Sequence, residues 1–211
     1  MPDPDIGPVR GIADAMWAIE GHLKLWLALY LNRQQTHLNA AKPDDIPPVD
    51  LRMPRSWRTP ITAAPGNPIV NDGQLPAVSV VPAGTGAGQV RRNGLVWEAS
   101  WLVDVVIFAR GSGYDHTAAV LGGYMTAVHT ALAQHRGVGD LDDCHWLAEQ
   151  LESIDPRQAR TLGMASVSFR ALYERAVDER EAPAEPPDPV TDPVPDWPVV
   201  ETPIVTIERN T

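Results

Sequence analysis

Hydrophobic residues recur along this chain with two periods, and the change of period divides it into elements. Ile12, Met16, Ile19, Leu23, Trp26 and Tyr30 follow one another at steps of three and four, with Leu27 beside them. That spacing predicts an amphipathic helix, and Pro8 lies just ahead of its expected start. Trp17, Leu25 and Leu29 add apolar surface off the stripe. A helix apolar on more than one face touches more than one neighbour, so it serves either the core alone or the core and a subunit interface. A second helix is predicted over 114–135, where Ala118, Leu121, Met125, Val128 and Leu132 recur at the same steps. Gly122 and Gly123 sit in its middle, each costing about 1 kcal/mol relative to Ala. They suggest that another backbone passes close by. Gly137 and Gly139 end the helix.

Between and after the helices the period drops to two. Residues 77–81 read as a strand, followed by a glycine-rich turn over 82–89. Residues 95–109 read as a long strand. Leu95, Trp97, Ala99, Trp101, Val103, Val105 and Ile107 lie on one face, and Glu98, Ser100 and Asp104 lie on the other with Val96, Leu102, Val106 and Phe108. Gly111-Ser-Gly ends it. A third strand is expected over 145–154, with Trp146 and Ala148 opposed to Leu147 and Leu151. Asp155-Pro156 marks a turn, and 161–177 reads as one strand or a pair, with Ala165, Val167 and Phe169 on one face. Residues 40–76 are rich in Pro, Asp, Asn and Gly and read as a long loop, with one short strand near 57–63. The expected fold is α+β: an antiparallel sheet with an N-terminal helix and a second helix packed on it.

Charge changes this picture at one end. The 211 residues carry 17 Lys+Arg against 27 Asp+Glu, a net of −10. Ten of those acids and only three bases fall between Glu174 and Thr211, and eight of the 21 prolines fall between Pro183 and Pro203. The run 186–196, Pro-Pro-Asp-Pro-Val-Thr-Asp-Pro-Val-Pro-Asp, can form neither helix nor central strand, because proline lacks the N–H and fixes φ. The division is therefore an N-terminal arm (1–9), an α+β domain (10–180) and an extended, Pro-rich, acidic C-terminal tail (181–211). The tail reads as a solvated segment. Against that, Trp197 and the β-branched residues up to Glu208 turn apolar again, as in a strand that docks on another subunit.

Composition also limits function. Hydrophobic residues make up 44% of the chain, enough for a core. The acidic balance argues against a nucleic-acid-binding domain, which shows a basic face. A single cysteine, Cys144, excludes a disulfide framework and any zinc site built on two or more cysteines. No basic region and apolar run open the chain, and its most apolar stretch, 25–31, is far short of the roughly 20 residues that span a bilayer. A soluble protein of a reducing compartment, with no membrane partner, is expected.

No constellation predicts an enzyme. Gly84-Thr-Gly-Ala-Gly resembles a phosphate loop, but a strand follows it and no Lys-Ser/Thr closes it, so a hairpin tip fits better. Arg91 and Arg92 belong at the tip or its base. Cys144 and His145 are neighbours in a strand and point to opposite faces. His129 and His135, six apart, fall on different helix faces. Asp115, before His116, suits a cap better than catalysis. Glu98 and Asp104 are about 20 Å apart along a strand, too far for a carboxylate pair. Arg52, Arg55 and Arg58 around Trp57 form the one local basic cluster, either a solvated loop or a face for an acidic partner or a nucleic-acid backbone. No cofactor or metal is expected.

Several phrases carry a resemblance. They are Leu75-Pro-Ala-Val-Ser-Val-Val, Trp97-Glu-Ala-Ser-Trp-Leu-Val-Asp-Val-Val-Ile-Phe-Ala-Arg-Gly, Thr117-Ala-Ala-Val-Leu-Gly-Gly-Tyr and Ser166-Val-Ser-Phe-Arg-Ala-Leu-Tyr-Glu. In this order, behind an amphipathic helix and a Pro-rich loop, the chain resembles the tail terminator proteins of long-tailed bacteriophages of actinobacteria over about residues 10–177. The Pro-rich extension departs from that pattern. The resemblance implies a structural virion protein: a six-fold ring capping the head-proximal end of the tail tube, stopping its polymerisation and docking the tail to the head connector. Its partners would be other copies of itself, tail tube subunits and connector proteins, with DNA passing through the lumen unbound. Assembly would take place in the host cytoplasm. Interface candidates are then Trp17, Trp26, Gly122, Gly123 and Trp197, and lumen- or partner-facing candidates are Arg52, Arg55, Arg58, Arg91 and Arg92. Two alternatives stand beside this: another neck or tail component, such as a head completion protein, a connector or a tube subunit; and a small enzyme or ligand-binding domain using Cys144, His145 or the 84–88 loop.

Overall fold

The computed structural model describes residues 10–57, 72–86, 90–92, 96–135, 137–155 and 161–178. Helix α1 spans Ile12–Ala41 and helix α2 spans Tyr114–Ala133. The strands are β1 (Ala77–Thr85), β2 (Val90–Arg92), β3 (Val96–Gly111), β4 (Asp143–Asp155) and β5 (Thr161–Asp178). All pair antiparallel, in the order β1-β3-β5-β4, with the short β2 on β3 beyond the end of β1. The fold is α+β, as the sequence of periods predicts.

The layout follows from the alternation. β3 and β5 pair over nearly their whole length, from Val96↔Asp178 to Gly111↔Thr161. The odd-numbered Ala99, Val103, Val105, Ile107 and Ala109 of β3 face the same side as Ala165, Val167, Phe169, Ala171 and Tyr173 of β5. Both helices cover that side. α2 lies over β3, β4 and β5, and α1 packs on α2 and reaches β1 and β3. Ile19, Leu23, Leu27, Leu121, Tyr124 and Phe169 are fully enclosed there. Each such side chain stabilises the fold by about 1.5–3 kcal/mol relative to exposure. On the opposite face, Val106 and Phe108 of β3 join Leu75 and Ala77 in a smaller cluster.

The structure departs from the expected elements in several places. The buried stripe of α1 is Ala15, Ile19, Leu23, Leu27 and Leu31, with Tyr30 beside it. Ile12 and Met16 are only half-buried, and Trp26 is exposed. Two neighbouring stripes of this helix are apolar, and four-residue steps drift about 40° round the helix each time, so spacing alone does not select between them. β1 continues through Pro82 to Thr85, where a turn was expected. A bulge between Pro82 and Gly84 and a φ of 135° at Gly84 accommodate it. An edge strand tolerates Pro because no ladder bond is lost there. β2, three residues long, is an element that the hydrophobic pattern does not predict. In β4, bulges at Trp146/Ala148 and Leu151/Ser153 shift the phase. Trp146 and Leu151 therefore share the helix side, paired with Phe169 and Ala165, and Ala148 faces away. β5 is one strand, not two.

The mid-helix glycines also read differently. A Cβ at Gly122 would meet nothing within 4 Å. A Cβ at Gly123 would lie 2.8 Å from the Leu38 and Leu51 Cδ1 atoms. The close neighbours of Gly123 are side chains of its own chain and not another backbone, so its small size serves packing inside the subunit rather than a contact between copies. Of the short strand expected near 57–63, Ser56 just ahead of it makes a single parallel bridge to Ala77, and 58–63 lies outside the described residues. The arm 1–9, Arg58 and the tail with Trp197 also lie outside them. No described helix is long and apolar enough to cross a membrane.

Candidate functional site: two surfaces of unlike chemistry

α1 turns its second apolar stripe outward. Trp17 is 61% exposed, Leu25 79% and Leu29 43%. Ala13, Gly21 and Ala28 are exposed on the same side of the helix, together with Lys24, which pairs with Glu20. The strip lies two residues on from Ala15, Ile19, Leu23 and Leu27, about 200° round the helix and thus on the side away from the core. A Cβ at Gly21 would meet nothing within 4 Å, which leaves a notch between Trp17 and Leu25. Single exposed apolar residues need no explanation; here three large ones share one side of one helix, as apolar surface that the core does not use.

Trp26 lies beside this strip and is tied partly to its own subunit. Its ring packs 4.3 Å from that of His135, just beyond α2. His22 meets His135 edge-on at 4.9 Å, and its Nε2–H donates to the Ala131 carbonyl at 3.2 Å. The Tyr30 hydroxyl lies 3.1 Å from His135 Nε2. This aromatic group joins α1 to the C-terminal end of α2. Burial pushes the His22 pKa below its ordinary 6.5, because the charged ring would lose water, and the neighbouring His135 adds to the shift.

The second surface is charged, and its backbone is held by side chains. Asn39 of α1 donates from Nδ2 to the Val49 carbonyl (2.9 Å) and accepts the Val49 N–H at Oδ1 (2.8 Å). Gln35 Oε1 accepts the Leu51 N–H at 2.8 Å. The Tyr124 hydroxyl of α2 donates to the Arg52 carbonyl (2.6 Å) and accepts the Arg52 N–H (3.1 Å). Arg55 N–H then donates to the Pro76 carbonyl at 2.8 Å. These bonds replace a strand ladder, and they fix a segment that reads in sequence as loop. They place Asp50, Arg52 and Arg55 around a cleft of about 350 Å³, whose other walls are Leu75, Pro76, Ala109, Arg110, His116, Val120 and Tyr124. Arg52 pairs with Asp50 at 2.6 Å. Arg110 and His116 join this cleft from the β3–α2 corner. Only the fold brings them to Arg52 and Arg55, and no spacing in the sequence announces it.

The remaining candidates stay apart. Cys144 and His145 face opposite sides of β4, as strand alternation requires. The Cys144 thiol is pushed up to about 12, first by burial and then by the Asp143 carboxylate, which suppresses the thiolate a nucleophile needs. His145 pairs with Asp143 at 2.7 Å. His129 pairs with Glu149 and stacks on Trp146 at 4.6 Å, far in chemistry from His135 in the α1–α2 aromatic group. Asp104 accepts from Ser168 at 2.7 Å. Arg91 and Arg92 lie on β2, opposite Trp97 and Val96. Among the described residues no cluster of His, Cys, Asp or Glu is arranged to hold a metal. No protein-family model and no curated protein matches this chain.

Proposed function

We propose that this chain is a structural subunit of a bacteriophage tail, a tail terminator whose copies close into a ring on the head-proximal end of the tail tube. The ring, six-fold by the resemblance, stops the addition of tube subunits and presents a face to the head connector. DNA passes through its lumen without specific binding. The observation that carries this reading is the set of large apolar side chains that α1 leaves exposed on its outer side. A ring subunit needs apolar surface that its own core does not use, and Trp17, Leu25 and Leu29 supply it. The order of elements supports the resemblance: a long helix, a long connection, two outer strands and a central strand, a helix, then two strands. A body that is only mildly acidic, with 17 acids against 14 bases over residues 1–173, suits a lumen that must not hold DNA tightly. The cleft arginines Arg52 and Arg55, with Arg58, Arg91 and Arg92, are then the groups available to acidic partner faces.

Electron microscopy of phage particles assembled without this chain tests the proposal. Over-long tubes of uneven length beside free heads support a terminator. Tails of normal length beside unjoined heads contradict it and assign the chain to the connector side of the neck instead.

A further inference from the structure

The exposed side of α1 is fixed in place by the buried stripe behind it, so it cannot fold back on its own subunit. From Trp17 to Leu29 it runs about 18 Å at the helical rise. α1 packs on α2 and reaches β1, which is one edge of the sheet, whereas β4 is the other edge. Beyond the first turn the Lys, Arg, Asp or Glu side chains that α1 exposes are both cations. Lys24 pairs with Glu20, which is buried. Arg33 lies over the Tyr30 ring and makes no ion pair among the described residues.

A second apolar surface lies at the β4 edge. Ala118, Gly122, Met125 and His129 recur at steps of four, three and four, so they share one side of α2, and all are half-buried. His129 stacks on Trp146 of β4, and Leu151 lies on the same face of that strand. Trp146 and Leu151 are both exposed. A Cβ at Gly122 would meet nothing within 4 Å, so the surface has room at its middle. From Ala118 to His129 it runs about 16 Å, close to the length of the α1 side. Glu149, beside Trp146 and Leu151, pairs with His129. Across α2 and β4 together there are five acids and no Lys or Arg.

Charge decides what this flank receives. The tail offers seven acids and no Lys or Arg between 181 and 208, and residues 1–9 offer two acids and no Lys or Arg. Either would set acid against acid. Two α1 sides facing each other would set the Lys24 and Arg33 of one copy near those of the other. The α1 side of a second copy brings cations to the acids and apolar groups to the apolar groups.

We propose that the outer side of α1 in one copy packs on the α2–β4 flank of a second copy. This rests on the self-association proposed above and names the surface that receives it. Gly21 on one surface and Gly122 on the other leave room for close approach. The giving and receiving surfaces differ and belong to opposite edges of the sheet, so a pair of copies still has one of each unused. Such a head-to-tail contact continues from copy to copy until the rotation closes it into a ring.

The test is sedimentation of two full-chain variants, alone and mixed, with a melting curve for each. Leu25→Glu spoils the giving side. Gly122→Arg spoils the receiving side by filling its open space and adding a cation, and Arg favours a helix over Gly, so the fold should hold. Each variant alone should associate at least about tenfold more weakly than the unsubstituted chain. An equimolar mixture should form pairs of copies, because one variant keeps its flank and the other keeps its α1 side. Gly122→Arg assembling as well as the unsubstituted chain overturns the flank as receiver while leaving self-association intact. A mixture that stays monomeric where the unsubstituted chain is fully assembled overturns the pairing of these two surfaces. An unsubstituted chain that sediments only as a monomer overturns both this contact and the self-association. If Gly122→Arg melts early, Leu151→Lys takes its place and is read in the same way.

Discussion

The two helices lie on the same face of the same sheet, and they use their apolar residues differently. α2 runs over β3, β4 and β5 and buries Val120, Leu121, Tyr124, Ala127, Val128, Ala131 and Leu132. Of its large apolar side chains only Tyr114, at its first residue, is mostly exposed. α1 buries one stripe as fully and leaves Trp17, Leu25 and Leu29 outside. One helix is apolar because the fold requires it. The other carries more apolar surface than the fold requires, and the proposed association between copies would use that surplus.

Substitutions separate the two uses. Leu121→Ala on α2 removes a fully enclosed side chain and should cost about 2–5 kcal/mol in denaturant unfolding. Tyr124→Phe should cost about 1–3 kcal/mol, because the hydroxyl satisfies both the N–H and the carbonyl of Arg52. It should also loosen the 49–57 segment, read as faster amide exchange at Arg52. The adjacent glycines of α2 give a finer contrast. Gly122→Ala enters open space and should stabilise by up to about 1 kcal/mol. Gly123→Ala must displace Leu38 and Leu51 and should be less stable than Gly122→Ala by about 1–3 kcal/mol. Equal melting temperatures for the two would contradict the packing described.

The smallest effect is on pH. The folded chain holds His22 below its ordinary 6.5, so below that value the unfolded chain binds more protons. The His22 contribution should be complete above pH 6.5 and fade as pH falls toward the lowered value. Denaturation midpoints measured across that window should decline less steeply in His22→Gln.

Much of this architecture is legible in the residues. The period-two run from Ala99 to Ile107 dictates which side of β3 meets the helices, and Ala165, Val167 and Phe169 do the same for β5. Where two answers satisfy the same pattern, sequence does not choose. Both stripes of α1 are apolar, so burial of Leu27 and exposure of Trp26 are decided by the drift of the helix against its neighbours. The β4 bulges are invisible because one extra residue leaves the composition unchanged and moves every later side chain to the other face. Of the charged surface, Arg52 and Arg55 stand out in sequence. Arg110 and His116 do not, because the cleft is closed by Asn39, Gln35 and Tyr124 acting across 10 to 72 residues of chain. Hydrogen bonds of that separation leave no periodic trace.

The claim that the outer face of α1 joins copies is tested most directly by sedimentation of the full chain beside Leu25→Glu. Leu25 is the most exposed of the described large apolar residues, so the change should alter folding stability by less than about 0.5 kcal/mol. The unsubstituted chain should sediment as a closed oligomer, and the variant as a folded monomer with the same melting curve. An unsubstituted chain that remains monomeric, or a variant that assembles as well as its parent, would contradict the claim.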